Sequence, residues 1–182
     1  MHRVLKKNQI LTLPNLLSLI RLGLIPLIIW LYCVKQQYNL AVAVILISGA
    51  TDVIDGFIAR HFNMVSDFGK ILDPVADKLT QGTVLICLAA KYRLMIALII
   101  FFAVKELIMI ILGYLAIKKK DSVNSAKWYG KANTVLLYTV MMLLILIPGI
   151  PMSIANIMIA LCGFMMLLSL ILYIRFYIKL FA

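Results

Sequence analysis

Six long apolar segments divide this 182-residue chain, and they restrict its fold more than any other feature. An α-helix needs about 20 mostly apolar residues to cross the hydrocarbon core of a bilayer. The segments that reach or approach this length are 15–34, 38–59, 71–90, 94–117, 128–147 and 152–174. We therefore predict an all-α, polytopic membrane protein with six transmembrane helices. The hydrophobic fraction of 64% agrees, because a soluble domain is closer to half apolar.

The basic residues predict how these helices are oriented. The chain carries a net charge of +11, and most of its Lys and Arg residues flank the apolar segments. With the N-terminus inside, 12 of them face the cytoplasm and three, Lys35, Lys91 and Arg93, lie outside. Because basic loops stay on the cytoplasmic side, we expect a cell-membrane protein with both termini in the cytoplasm. The same charge favours anionic membrane lipids as partners and argues against nucleic acid.

The apolar segments follow one another closely, so we expect a single membrane domain over residues 1–182. Within it, residues 1–13 would form a cytoplasmic segment beside the membrane. The three cysteines, Cys33, Cys87 and Cys162, are far apart in the sequence and lack the spacing of metal ligands. We interpret them as buried small hydrophobic residues rather than as a disulfide or a metal site.

Acidic residues are concentrated in one short part of the chain. Five of the seven, Asp52, Asp55, Asp67, Asp73 and Asp77, lie within 26 positions, and all but Asp67 fall in or against the second and third predicted helices. An aspartate at the bilayer centre costs about 2.5–3.5 kcal/mol even on a lenient insertion scale, and neighbouring aspartates also repel. Such a cluster is tolerable if a cation neutralises it, or if water and Arg or Lys partners do.

The spacing of these aspartates favours a cation. Asp52 and Asp55 are three residues apart, and Asp73 and Asp77 are four apart, so each pair shares one face of its helix. Loop 60–70 joins the two helices antiparallel, which places all four carboxylates a few ångströms to about 12 Å below the cytoplasmic interface. Hard oxygen ligands without His or Cys favour Mg²⁺ or Mn²⁺, and four carboxylates are enough for two ions.

Small residues and one arginine accompany the carboxylates. Gly56 and Gly69 lie four residues from Asp52 and Asp73, where the missing side chain lets a bulky group approach the backbone. Arg60 supplies a planar, permanent charge that suits phosphate. Carboxylates, glycines and an arginine at headgroup depth favour pyrophosphate chemistry on a lipid. An acidic cluster in a cation transporter is the alternative from a different class.

The segment that begins at Asp52 and ends at Asp77 resembles a known motif. It reads D-x-x-D-G-x-x-A-R-x8-G-x-x-x-D-x-x-x-D, which is similar at every fixed position to the motif of the CDP-alcohol phosphatidyltransferase family. The resemblance implies transfer of a phosphatidyl group from CDP-diacylglycerol to an alcohol, with release of CMP. It implies that the four aspartates hold two divalent ions and that Asp77 is also the general base. Members of the family often form homodimers, and their site would here face the cytoplasm.

The resemblance also implies a binding site for the CDP group. Ser66 matches a position that is often Ser or Thr in the family, whereas the others belong to the motif itself. The residues assigned to this site are Gly56, Ala59, Arg60, Ser66 and Gly69.

Resemblances outside the motif indicate the acceptor alcohol. Segment 13–21 and the pair Lys105-Glu106 resemble the phosphatidylglycerophosphate synthases of this family, which use sn-glycerol 3-phosphate. We predict that Arg21, Lys105 and Lys131 bind the acceptor phosphate. Neutralising the aspartates and Glu106 is the alternative role for these cations.

One element points to a second acceptor. The run Lys131-x-Asn133-Thr134 is similar to the cardiolipin synthases of the same family, which use phosphatidylglycerol. Lys105 also stands where the glycerol-3-phosphate enzymes have Arg, and it lacks the bidentate fork of that residue. A cardiolipin synthase is therefore the second candidate beside the glycerol-3-phosphate enzyme.

Overall fold

The computed structural model describes residues 13–61, 69–120 and 127–181. Those ranges contain six α-helices and no strand, so the all-α prediction with six helices is confirmed. A short π-helical segment, Trp30–Val34, continues the first helix. The α-helices in chain order are α1 (Leu13–Ile29), α2 (Tyr38–His61), α3 (Gly69–Ala89), α4 (Leu94–Lys120), α5 (Trp128–Leu146) and α6 (Met152–Phe181).

Within the described ranges, four helical segments are long and apolar enough to cross a membrane. They are Asn15–Val34, Leu94–Ala116, Trp128–Leu146 and Met152–Phe181. The described apolar stretch of α2, Tyr38–Thr51, is shorter, and the first half of α3 is interrupted by charged side chains. The chain is therefore a membrane protein in which the four motif aspartates lie in the two less apolar helices, α2 and α3.

The outer faces of the spanning helices are apolar. Ile110 and Ile157 are each 68% exposed, and many other large aliphatic side chains are similarly uncovered. A helix that is hydrophobic on all sides needs an apolar solvent around it, which the lipid tails of a bilayer provide.

Two compact units make up the chain, Met1–Cys87 and Leu88–Ala182. In the first unit, α1 packs along α2, and the side chains of Ile28, Ala41 and Ile45 are buried. Both α1 and α2 also contact the π-helical segment. In that segment, the Lys35 N–H donates to the Trp30 carbonyl five residues earlier at 2.9 Å.

In the second unit, α6 packs against both α4 and α5. Tyr173 of α6 holds the first turn of α5, because its hydroxyl accepts the backbone N–H of Lys127 at 3.2 Å. Its ring also meets Tyr129 edge to face, with 4.6 Å between the ring centroids. Gly130 lies directly beneath that ring, where a side chain would collide with the Tyr173 hydroxyl. The turn that carries Lys131 is thus positioned from α6.

The packing at Gly130 predicts that this position tolerates no methyl group. Gly130→Ala should displace Tyr173 and lower the free energy of unfolding by about 1–3 kcal/mol. Gly113→Ala in α4 is the matched control, since no described atom lies within 4 Å of its added Cβ. Replacing Gly by Ala stabilises the helix by about 1 kcal/mol in both variants. The difference between their free energies of unfolding therefore isolates the effect of the collision.

Thermal unfolding in detergent measures this difference. Adding Tyr173→Phe to Gly130→Ala should recover part of the loss, because the nearest colliding atom is the hydroxyl oxygen. Equal unfolding midpoints for Gly130→Ala and Gly113→Ala would contradict the role of this contact.

Candidate active site

The two carboxylates of α3 lie one helical turn apart near its start. Asp77 is partly buried, with 26% of its side chain exposed. Gln81, one turn further along α3, directs its Nε2 at both carboxylate oxygens of Asp77, at 3.2 and 3.4 Å. Lys78 Nζ is 4.0 Å from Asp77 Oδ2. Asp77 thus lies in a polar environment in the charged first half of α3.

Asp73 is tied to a different helix. The hydroxyl of Ser18, in α1, donates a hydrogen bond to Asp73 Oδ1 across 55 positions of sequence. Ser18 is completely buried, and Asp73 is half-buried. Because a buried carboxylate needs donors around it, this bond fixes the orientation of Asp73 against α1.

Ser18 belongs to a line of buried polar residues on α1. Asn15, Ser18 and Arg21 are spaced three residues apart and are each at most 2% exposed. Residues at this spacing lie on neighbouring positions of one helix face. Polar side chains are costly in an apolar helix unless they have partners, so the line marks a polar interior of the first unit.

The other two aspartates of the motif lie in the last turns of α2, Tyr38–His61. The side chains of Asp52 and Asp55 lie outside the described part of the chain. Among the side chains that are described, no group of three or more His, Cys, Asp or Glu could hold a metal ion. The four-carboxylate metal site therefore stays a prediction.

The donor chemistry of the described part fits a hard divalent cation. Asp73 and Asp77 offer carboxylate oxygens on one face of α3, and each has a neutral side chain that orients it, Ser18 and Gln81 respectively. Oxygen ligands oriented in this way are typical of Mg²⁺ and Mn²⁺ sites.

The predicted CDP-binding residues are described only in part. Gly69 is buried and is the first residue of α3, four positions before Asp73. Gly56, Ala59 and Arg60 lie in the last turns of α2, but their side chains are not among the described ones. Ser66 lies outside the described residues. The CDP site stays a prediction.

The three predicted acceptor-binding cations are distributed over both units. Arg21 is buried in the first unit. Lys105 and Lys131 belong to the second unit, where Lys131 is exposed on the first turn of α5. Lys105 is buried and contacts Glu106 at 2.7 Å, which matches the alternative role of neutralising that residue. A common acceptor site for the three cations stays a prediction.

Sequence reasoning missed Ser18 and Gln81 as site residues. Both are uncharged, whereas charge was the main criterion for choosing candidate residues outside the motif. The available signal was their position, because Gln81 follows Asp77 by one turn and Ser18 lies midway between Asn15 and Arg21 in an apolar helix. A polar residue one turn from a functional charge in a membrane helix is a candidate for orienting it.

Comparison with known proteins places this chain in a family. A sequence profile of the CDP-alcohol phosphatidyltransferase family matches residues 11–176, which include α1 to α5 and most of α6. The chain belongs to the CDP-alcohol phosphatidyltransferase family. Its members are transferases of phospholipid biosynthesis, and dependence on a divalent metal is typical of them.

Individual relatives carry two different names. A Streptomyces coelicolor protein named cardiolipin synthase (CMP-forming) is 31% identical over 147 residues, which cover 78% of this chain and 68% of the relative. A Rickettsia typhi protein named CDP-diacylglycerol–glycerol-3-phosphate 3-phosphatidyltransferase is 42% identical over 81 residues, covering 43% of this chain and 46% of the relative.

Matches to some relatives are short. A Mycobacterium tuberculosis protein named after cardiolipin synthase is 43% identical over 84 residues, 46% of this chain. The chain spans only 40% of that relative's length.

The Ser18–Asp73 bond predicts a measurable effect on metal binding. Ser18→Ala removes the donor that orients Asp73 and should weaken Mn²⁺ binding roughly 10–100-fold, as is typical when an oriented ligand loses its outer partner. Ser18→Thr keeps the hydroxyl and should recover most of the affinity. Electron paramagnetic resonance of Mn²⁺ titrated into the purified protein, without substrates, measures both.

Ser169→Ala is the matched control, because Ser169 is equally buried but its hydroxyl has no hydrogen-bond partner among the described residues. The role assigned to Ser18 is wrong if Ser18→Ala and Ser169→Ala bind Mn²⁺ with the same affinity.

Proposed function

We propose that this chain transfers a phosphatidyl group from CDP-diacylglycerol to sn-glycerol 3-phosphate and releases CMP. The observation that carries the proposal is the oriented carboxylate pair at the start of α3, which forms the second half of the family motif. A relative named for this reaction supports the choice of acceptor. Family membership favours a transferase over the cation transporter considered from the sequence.

The metal site would be formed by the four motif aspartates, Asp52, Asp55, Asp73 and Asp77. We propose two ions, Mg²⁺ or Mn²⁺, because carboxylate oxygens suit these cations. When bound, such ions neutralise the pyrophosphate charge and make CMP a better leaving group.

The side chains of the protein then carry the remaining steps. Asp77 accepts the proton of the acceptor hydroxyl, whose oxygen attacks the phosphorus atom that bears the diacylglycerol. The new O–P bond forms as the O–P bond to CMP breaks, so the nucleotide leaves with the electron pair. Gln81 orients the Asp77 carboxylate, and Ser18 orients the Asp73 carboxylate.

Binding of the nucleotide is assigned to the loop and helix ends around α2 and α3. We propose that Arg60 pairs with a phosphate of CDP and that Gly56, Ala59 and Gly69 leave room for the nucleotide beside the backbone. Ser66 would contact the nucleotide through its hydroxyl. Gly69 is the first residue of α3, and the positive end of a helix dipole favours phosphate.

The acceptor is assigned by charge. Sn-glycerol 3-phosphate is a dianion, and Arg21, Lys105 and Lys131 are the cations proposed to bind it. Arg21 is buried in a polar line next to Ser18, a position suited to a small charged substrate. On the topology proposed from the basic residues, the site opens to the cytoplasm, from which this soluble substrate comes.

A cardiolipin synthase is the second candidate, and two observations favour it. Asn133 is buried on α5 where the glycerol-3-phosphate enzymes have Lys, which reduces the charge available to a dianion. The relative named cardiolipin synthase (CMP-forming) also matches 78% of this chain. Its acceptor, phosphatidylglycerol, would enter from the membrane.

An acceptor panel tests the proposal. Purified protein with CDP-diacylglycerol and Mg²⁺ should release CMP when sn-glycerol 3-phosphate is added. Release only with phosphatidylglycerol would establish the second candidate instead.

Asp77→Asn should slow release about 10²–10⁴-fold, the usual contribution of a general base. Asp121→Asn, the same change outside the motif, is the control, and near-normal turnover of Asp77→Asn would remove the base assignment.

The charge of Lys131 provides a sharper test of the acceptor. Lys131 is exposed, so Lys131→Met should leave folding intact while raising the KM for sn-glycerol 3-phosphate about tenfold, or about 1.4 kcal/mol. Lys179→Met removes the same charge from the end of α6 and is the matched control. An unchanged KM in Lys131→Met would exclude this lysine from acceptor binding.

A further inference from the structure

Two cysteines of the first unit, 54 positions apart in the sequence, lie side by side. The Sγ atoms of Cys33 and Cys87 are 3.8 Å apart, within the contact distance of two thiols. Cys33 is exposed and Cys87 is 5% exposed, so the interpretation of all cysteines as buried is wrong for Cys33. Cys162 is 1% exposed and belongs to the second unit.

Their positions along the helices place both thiols near one membrane surface. Cys33 lies in the π-helical segment Trp30–Val34, two residues before Lys35. Cys87 lies two residues before the end of α3 and four before Lys91. Both thiols therefore lie within four residues of basic residues that mark the outer interface on the proposed topology.

The two sulfur atoms are already close to bonding distance. A disulfide requires the sulfur atoms to approach to about 2.05 Å, so the observed separation must shrink by less than 2 Å. Exposure of Cys33 gives an oxidant access to one thiol, and the partner is already in contact. The compartment outside a cell membrane is one where disulfides form and persist.

We propose that Cys33 and Cys87 form an oxidisable dithiol, whose product is an intramolecular disulfide between the end of the π-helical segment and α3. The oxidant is the disulfide of a thiol–disulfide oxidoreductase. The Cys33 thiolate attacks one sulfur of that disulfide, whose S–S bond breaks, and the other sulfur leaves as a thiolate while a mixed disulfide forms. The Cys87 thiolate then attacks the Cys33 sulfur, breaks the mixed disulfide and releases the oxidoreductase as a dithiol. The cysteine pair loses two electrons and two protons; the oxidant gains the two electrons, and its two sulfurs take up two protons through the solvent.

The bond would join the π-helical segment that continues α1 to the last turn of α3. Ser18 and Asp73 lie near the opposite ends of α1 and α3. It closes a long loop in the chain, so it restricts the unfolded state more than the folded one. Oxidation should therefore raise the midpoint of thermal unfolding. This inference depends on the cysteine contact and not on the proposed reaction.

Oxidation of the purified full-length protein with oxidised glutathione tests the proposal. After alkylation with N-ethylmaleimide in denaturant, mass spectrometry under non-reducing conditions should find a Cys33–Cys87 linked peptide. Only Cys162 should then carry the alkyl group, whereas all three thiols should carry it in the reduced sample. Protein in which Cys33 and Cys87 are both still alkylated after oxidation would overturn the proposal, as would disulfides joining two chains.

Matched variants separate the pair from general thiol oxidation. Cys33→Ser should leave Cys87 alkylatable after oxidation and should abolish the rise in unfolding midpoint. Cys162→Ser, the same change in the second unit, should leave both the linked peptide and the rise intact. A rise that persists in Cys33→Ser would show that the cross-link is not its cause.

The compartment is tested in intact cells. Acid quenching followed by alkylation should recover the linked peptide from cells grown in air, and a dithiothreitol pulse should remove it. Complete alkylation of Cys33 and Cys87 in the air-grown cells would overturn the proposal that the pair is oxidised where the protein resides.

Discussion

The central physical constraint in this protein is the cost of holding carboxylates inside apolar helices. Asp73 and Asp77 lie in a helix that must pack with membrane segments, and each is stabilised by a neutral donor, Ser18 from α1 and Gln81 from α3. Hydrogen bonds of this kind lower the cost of a charged group without cancelling its charge. The carboxylates thus keep their negative charge for a cation. The side chains that orient them are neutral, so they do not take the place of that cation as a Lys or Arg would.

The same constraint explains the polar line on α1. In a membrane helix, a buried Asn, Ser or Arg has no water to replace a missing partner, so each must be matched by polar groups of the unit. Asn15, Ser18 and Arg21 are nearly fully buried on one face, while the opposite side of the helix carries exposed Leu19 and Ile20. The first helix therefore has a lipid-facing side and a side that belongs to the site. The second unit shows a related arrangement at α5, where Tyr173 fixes the turn that carries Lys131.

The fold was more predictable than the site. Apolar runs bounded by charged residues predicted all six helices, and the starts of α2, α4, α5 and α6 agree with the structure to the residue. The end of α6 was misplaced, because Arg175 and Lys179 look like an end signal but are exposed and leave the helix uninterrupted to Phe181. At the candidate site, charge and spacing indicate the four aspartates, whose role stays a prediction. The Ser18–Asp73 bond and the Cys33–Cys87 contact join residues more than 50 positions apart, and no local pattern carries such information.

The charged first half of α3 also bears on how the chain enters the bilayer. A segment that contains Asp73, Asp77 and Lys78 partitions poorly into lipid by itself, since each such residue near the membrane centre disfavours insertion. The strongly apolar α1 precedes it and α4 follows it, and its hydrogen bond from Ser18 exists only after α1 is in place. The aspartates proposed to carry the chemistry therefore disfavour insertion of α3 alone and favour its insertion together with neighbouring helices.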